Sequence, residues 1–280
     1  MSPNFQIFSS LRHDPSLPSV FGTAPPETSW NHAAPSPLYM LDFHRDRMLR
    51  AATHWKWHSA IELLHGPAGL ERLASAIHQE IAKDLNPHPG PLKVRVAISP
   101  DGTMDLTTAP VPETALGNLF PSHLPSPHSP DSTTTNDPHT PTRATPYEVV
   151  ISPSGTPRSE FTHFKTTVRE AYDAARQLAD VSLTSKREVL LVNQADGSLM
   201  EGSTTTPYLW RGGRWVTPPV SRGFSAVDGS GGQDGTTRRW ALERGVAEED
   251  VIPVDSLVEG EECWLSNGVR GFFFGRIHLQ

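Results

Sequence analysis

Hydrophobic and polar positions change period several times along this chain. Phe5, Ile7 and Ser9 alternate with Gln6, Phe8 and Ser10, which predicts a strand over 5–11. A Pro/Ser/Thr-rich loop over 13–36 follows, then a second strand candidate over 38–43. From His44 to Trp57 the period becomes helical, with Met48, Ala51, Ala52 and Trp55 on one face. Another helix is expected from about Pro67 to Leu85. Leu92 to Ser99 alternates as a strand, Pro100-Asp-Gly102 is its turn, and Met104 to Thr108 should return as a hairpin partner.

Tyr147 to Ile151, Phe161 to Lys165 and Val189 to Asn193 read as further strands. Thr167 and Glu170 have the spacing of a capping box, and Val168, Ala171, Tyr172, Ala175 and Leu178 continue from them at helical spacing. Arg211-Gly-Gly-Arg214 between apolar runs at 207–210 and 215–217 signals a hairpin. A glycine-rich loop spans 221–235, a helix is expected over 236–244, and strands over 262–265 and 271–275 close the chain. Strands and helices mix without regular alternation, so the class is α+β.

The stretch 122–146 is almost entirely Pro, Ser, Thr, His, Asp and Asn and should bury little apolar surface. It divides the chain into a smaller N-terminal α/β domain (1–121), a linker (122–146) and a larger C-terminal domain (147–280). His123, His128, His139 and His163 lie in or beyond the linker, but their spacing fits no zinc pattern.

Composition narrows the picture. The hydrophobic fraction is 36% with mean hydropathy −0.40, and many of the 27 prolines sit in loops and in the linker. The net charge of −7 argues against a nucleic-acid partner. One cysteine, Cys263, excludes an internal disulfide and fits a reducing compartment. No secretory signal and no membrane-spanning apolar run are visible, so a cytoplasmic protein acting on a small molecule is expected.

The chemistry centres on Lys165. An amine held by rigid backbone at the start of a helix can be partly desolvated, which lowers its pKa and suits covalent catalysis. A carboxylate, Glu201, follows in Met200-Glu-Gly-Ser-Thr-Thr-Thr206. Gly235-Thr-Thr-Arg238 then opens a helix, where backbone N–H groups and hydroxyls can hold a phosphate. Each feature alone is ordinary; the order of all three is informative.

With that order the sequence resembles the class IV (fold-type IV) pyridoxal-phosphate (PLP) enzymes. These include branched-chain and D-amino acid aminotransferases and aminodeoxychorismate lyases. The resemblance implies a two-domain fold with the cofactor in a cleft between domains, and commonly a homodimer. His44-Arg45-Asp-Arg47 is similar to the family's His-x-x-Arg, which implies phosphate contact for Arg47. Lys165 matches the cofactor-binding lysine and Glu201 the carboxylate at the pyridine nitrogen. Thr206 or its neighbour stands where the family pattern has asparagine. Thr217-Pro-Pro219 matches a family Thr-Pro, and Thr236 and Thr237 match the phosphate cup.

Within the family, Phe8-Ser-Ser-Leu-Arg12, Lys165-Thr-Thr-Val-Arg169 and Trp264-Leu-Ser-Asn-Gly-Val-Arg270 resemble the fungal-type lyase branch. That implies conversion of 4-amino-4-deoxychorismate to 4-aminobenzoate and pyruvate, a step of folate biosynthesis. Ser10, or its neighbour Ser9, would relay a proton. Arg12, Arg169 and Arg270 would hold substrate carboxylates, and Ser266, Asn267 and Gly268 would face the substrate. The alternatives are a class IV transaminase acting on D- or branched-chain amino acids or amines, and a cofactor-free scaffold on the same fold.

Overall fold

A computed structural model describes residues 4–20, 36–84, 88–127, 129, 139–143 and 145–279. The remaining residues include His128, most of the loop read over 13–36 and the middle of the stretch read as a linker, so those readings lie partly outside the described residues. The chain forms two compact units. Unit 1 comprises 1–113 and 164–168, and unit 2 comprises 114–163 and 169–280.

In unit 1, β1 (Ile7–His13), β2 (Leu92–Ile98) and β3 (Met104–Pro110) form an antiparallel sheet in the order β1-β2-β3. The β2–β3 turn closes as expected: Ser99 N–H donates to the Thr103 carbonyl at 2.9 Å, and Gly102 takes φ 86°. Along β2, Leu92, Val94, Val96 and Ile98 are buried on one face. The helices are α1 (Leu17–Val20), α2 (Leu41–His54), α3 (His58–Leu64) and α4 (Gly66–Ala82).

The strand expected over 38–43 is not there. Leu38 makes only a bridge to His13, and Met40 turns into the left-handed region (φ 53°) to start α2. The helix expected over 44–57 begins three residues earlier and ends at His54, because Lys56 at φ 57° turns the chain toward α3.

The segment around Lys165 differs most from expectation. Residues 160–163 are a helical turn, not a strand, and 165–167 pair with the edge of β1. Phe8 N–H donates to the Lys165 carbonyl at 3.0 Å, and Thr167 N–H donates to the Gln6 carbonyl at 2.9 Å. The Thr167 hydroxyl accepts from Gln6 N–H at 3.0 Å and not from a helix-start amide; the helix starts at Glu170, with Arg169 as N-cap.

Unit 2 contains α5 (Leu116–Leu119), β4 (Tyr147–Thr156), α6 (Glu160–His163), α7 (Glu170–Leu178), β5 (Arg187–Asn193), β6 (Leu199–Gly202), β7 (Thr206–Arg211), β8 (Arg214–Thr217), α8 (Thr236–Glu243), β9 (Glu248–Glu249), β10 (Glu262–Asn267) and β11 (Gly271–His278). Its eight strands run in the order β6-β5-β4-β11-β10-β7-β8-β9. β4 is parallel to both β5 and β11. Both faces of the central strands are buried: Val149, Leu190 and Leu199 belong to one cluster, and Val150, Val189, Leu191 and Met200 to another that includes Tyr172 and Ala175 of α7.

The described parts of 122–146 are docked on unit 2. The Arg143 guanidinium bonds the carbonyls of Pro125 and Ser126 and the Glu262 carboxylate, while Trp215 Nε1 donates to the Leu124 carbonyl at 2.9 Å. Leu124 is buried. The stretch has little apolar surface to bury, as its composition says, but its carbonyls find arginine and indole donors instead. Among the described residues no helix is long and apolar enough to cross a membrane.

Candidate active site

In unit 1, Lys165 Nζ lies 5.0 Å from the centre of the Phe8 ring. Its backbone is held by β1, so the amine projects from a paired strand and not from a helix cap. Ser9 and Ser10 fall on opposite faces of β1. Ser9 is fully buried: its Oγ is 2.6 Å from His44 Nδ1 and receives a hydrogen bond from Arg47 at 2.5 Å. Arg47 can only donate, so Ser9 Oγ accepts from it and shares one further hydrogen bond with His44 Nδ1. Burial holds His44 well below the ordinary histidine range, and the charges of Arg47 and Lys165 add to this. Ser10, partly exposed, pairs with Arg95 of β2.

Arg12, expected to hold a substrate carboxylate, is 1% exposed and bonds Asp14 at 2.8 Å and the Pro112 carbonyl at 3.0 Å. Burial pushes the Asp14 carboxyl up, but hydrogen bonds from Ser16 and Arg12 leave it below the usual carboxylate range.

In unit 2, Glu201 on β6 is 8% exposed and accepts a 2.5 Å hydrogen bond from the Tyr172 phenol. Gln233 Nε2 donates to the same phenol at 2.8 Å. Arg169 donates to the Ser203 carbonyl at 2.6 Å, and its guanidinium stacks 3.9 Å above the Tyr172 ring. Tyr172 and Gln233 were not legible as site residues. Tyr172 reads as one more apolar position of a helix face, and Gln233 sits in a glycine-rich loop.

α8 opens with Thr236 and Thr237 behind Gly235, which makes no side-chain cap. Its first N–H groups therefore lack intrahelical partners. Thr237 Oγ1 is 2.7 Å from Ser266 Oγ, which is 3.0 Å from the Tyr208 hydroxyl. Burial raises the Tyr208 phenol pKa, so it stays protonated. A Cβ on Gly235 would come 2.9 Å from Thr206 Oγ1, so a hydroxyl lies beside the helix start. Arg238 fixes the entry to this helix: it bonds the Pro218 carbonyl at 2.9 Å, Asp234 at 3.1 Å, and Glu249.

The β10–β11 loop is closed by Asn267, whose Oδ1 accepts the N–H groups of Val269 and Arg270 at 3.1 and 2.9 Å. Gly268 is buried within it. Arg270 is exposed and lies 5.7 Å from the rings of Tyr147 and Phe273.

An α+β chain with this strand order is of fold-type IV. The profile of the family described as Amino-transferase class IV matches residues 29–276, so the chain belongs to that family. The chain is 31% identical over 150 residues to an aminodeoxychorismate lyase of Saccharomyces cerevisiae, a match covering 48% of this chain and 38% of that protein. It is 29% identical over 140 residues to a putative aminodeoxychorismate lyase of Schizosaccharomyces pombe, covering 48% and 57%. The match thus spans less than two thirds of each relative.

Among solved structures, a putative amino-acid aminotransferase from Mesorhizobium loti superposes with a TM-score of 0.62 at 18% identity, covering 98% of this chain and 100% of that one. A putative 4-amino-4-deoxychorismate lyase from Legionella pneumophila gives 0.60 at 12%, covering 98% and 83%. The branched-chain amino acid aminotransferase from Escherichia coli gives 0.56 at 15%, covering 98% and 76%. These likenesses concern the fold.

The family is PLP-dependent. The groups in unit 2 fit that cofactor by their donor chemistry. A buried carboxylate with a phenol donor suits a protonated ring nitrogen, and an uncapped helix start lined by hydroxyls, with a glycine where a Cβ would crowd it, suits a phosphate.

Proposed function

We propose that this protein is an aminodeoxychorismate lyase, converting 4-amino-4-deoxychorismate to 4-aminobenzoate and pyruvate. The observation that carries the reading is the pair of lyase-named relatives at 31% and 29% identity. Lys165 and Glu201 provide the amine and carboxylate that the chemistry requires. Bound PLP supplies an electron sink for the pair left when a ring proton departs.

The chain's own groups do the rest. Lys165 would hold the cofactor covalently, and its amine, when free, takes the ring proton as general base. Ser10 would give a proton to the departing enolpyruvate. Glu201 keeps the ring nitrogen protonated, while Arg47, Thr236 and Thr237 hold phosphate. Arg270 is the exposed guanidinium left to meet a substrate carboxylate. Asn267 holds the loop with Gly268 and Ser266 in shape beside it; Arg12 and Arg169, already engaged, would act by supporting β1 and Tyr172. The atoms balance without a second substrate, because one ring proton and enolpyruvate leave as the ring aromatises.

On this reading the protein works as a homodimer in the cytoplasm, and light scattering of the purified chain tests the first point. The decisive assay incubates PLP-loaded protein with 4-amino-4-deoxychorismate and no keto acid. Equal amounts of 4-aminobenzoate and pyruvate are expected. Amino transfer to an added keto acid, with no 4-aminobenzoate, would make it a transaminase instead.

A further inference from the structure

The phenol of Tyr172 has three polar neighbours. It lies 2.5 Å from Glu201 Oε1, 3.0 Å from the Thr162 carbonyl and 2.8 Å from Gln233 Nε2. Gln233 Nε2 can only donate, so the phenol oxygen accepts from it. The phenol's single hydrogen then has two acceptors, and an ionised carboxylate is the stronger one. Tyr172 is 1% exposed and Gln233 5%, so the arrangement is largely shielded from solvent.

We propose that Tyr172 is a positioning residue that keeps Glu201 ionised by donating to it, with Gln233 orienting the phenol for that task. If Glu201 takes up a proton, it becomes the donor to the phenol, and the Tyr172 hydrogen turns to the Thr162 carbonyl. Both arrangements place every hydrogen, but only the first sets a charge-assisted bond on the carboxylate.

Other charged groups near this cluster have their own partners. Arg169 stacks on the Tyr172 ring and bonds Ser203. Glu188 of β5, beside Gly202, accepts from the backbone and hydroxyls of Ser203 and Thr204. Asp234, next to Gln233, pairs with Arg238. Burial and the Glu201 charge raise the Tyr172 phenol well above its ordinary value, so it remains a donor through neutral pH.

The use of this device rests on the reading of Glu201 as the ring-nitrogen partner, but its test does not. Carboxyl-labelled apo-protein is titrated by carbon NMR, with the Glu201 signal assigned from its loss in Glu201→Gln. Tyr172→Phe, which keeps the ring, should raise the Glu201 midpoint by about one to two pH units. Gln233→Leu should raise it by less. A merely structural tyrosine would lower the melting temperature and leave the midpoint in place, and an unmoved midpoint in folded Tyr172→Phe overturns the proposal. Should that variant not fold, an unmoved midpoint in Gln233→Leu overturns it equally. PLP affinity of Glu201→Gln, read by tryptophan quenching, tests the cofactor role separately: unchanged affinity removes that role, and the titration still decides the proposal.

Discussion

Ser9 Oγ and His44 Nδ1 share a hydrogen bond of 2.6 Å in a fully buried part of unit 1. Because Arg47 also donates to Ser9, the hydroxyl is used on both sides. Ser9 is thereby a structural link in unit 1, while Ser10, on the other face of β1, is the serine to which the proposed function gives the proton transfer. Ser9→Ala should cost about 1–3 kcal/mol of apo-protein stability, because buried polar atoms lose their partner. Ser10→Ala should melt like the native chain yet lose turnover in the acceptor-free assay. Equal melting of the two variants would contradict the assignment.

The same histidine sets a pH dependence. His44 is held neutral in the folded state, while in the unfolded chain it titrates near its ordinary value of about 6.5. Below that value the unfolded chain binds the extra proton first. Stability should therefore be full above about pH 6.5 and fall with further acidification, by at most about 1.4 kcal/mol per pH unit from this group. His13, lowered by burial and by His78 against the opposing charge of Asp14, acts in the same direction. Comparing melts of native protein and His44→Asn at pH 5 to 8 isolates the His44 share: the variant should show the shallower acid loss.

Lys165 and Glu201 give the sharpest chemical expectations. Borohydride treatment of the PLP-loaded protein should fix the label on the peptide containing residue 165, and Lys165→Ala should carry none and show no turnover. Glu201→Ala should still bind PLP, though more weakly than the native chain, and lose about 100-fold or more in rate, the usual scale for removing one group that stabilises developing charge. Mass spectrometry of the reduced peptide checks the first, and the 4-aminobenzoate assay the second.

Much of the fold was legible because its signals are local. Arg211-Gly-Gly-Arg214 needs two left-handed residues between strands, and Gly212 and Gly213 sit at φ 56° and 82°. The β2–β3 hairpin and α4 likewise follow from turn chemistry and periodicity. Local signals failed where distant partners compete for the same atoms. Thr167 has the spacing of a cap, but its hydroxyl serves Gln6, 161 residues away. Leu38 and Met40 look like strand residues, yet one bridge to His13 and a left-handed turn send the chain into α2. The support of Glu201 by Tyr172 and Gln233 was hidden for the same reason, since it joins three elements across 61 residues of chain.

The start of α8 yields a test of phosphate binding. Gly235 has φ −64°, so alanine is allowed by the backbone, but its Cβ would lie 2.9 Å from Thr206 Oγ1. Something beside the helix start must shift. Gly235→Ala should stay folded and bind PLP about ten- to a hundredfold more weakly, the equivalent of one charge-assisted hydrogen bond. Equilibrium dialysis measures this, and Thr206→Ser, which keeps the hydroxyl, should bind as the native chain does.

Arg143 provides the last test, on the docked stretch of unit 2. Its side chain is 9% exposed and its partner Glu262 6%. Breaking a buried pair by removing one member commonly costs about 3–5 kcal/mol. Here the loss should fall toward the lower end, because Arg276 still bonds Glu262 at 3.0 Å. Arg143→Ala also takes one donor from the carbonyls of Pro125 and Ser126, the latter keeping Ser129. The amide of Ser122, bonded to the His139 carbonyl at 3.0 Å, should then exchange hydrogen faster, while amides of β5 keep their protection. Exchange at Ser122 that matches the native rate would mean that Trp215 and Leu124 hold this stretch without the arginine.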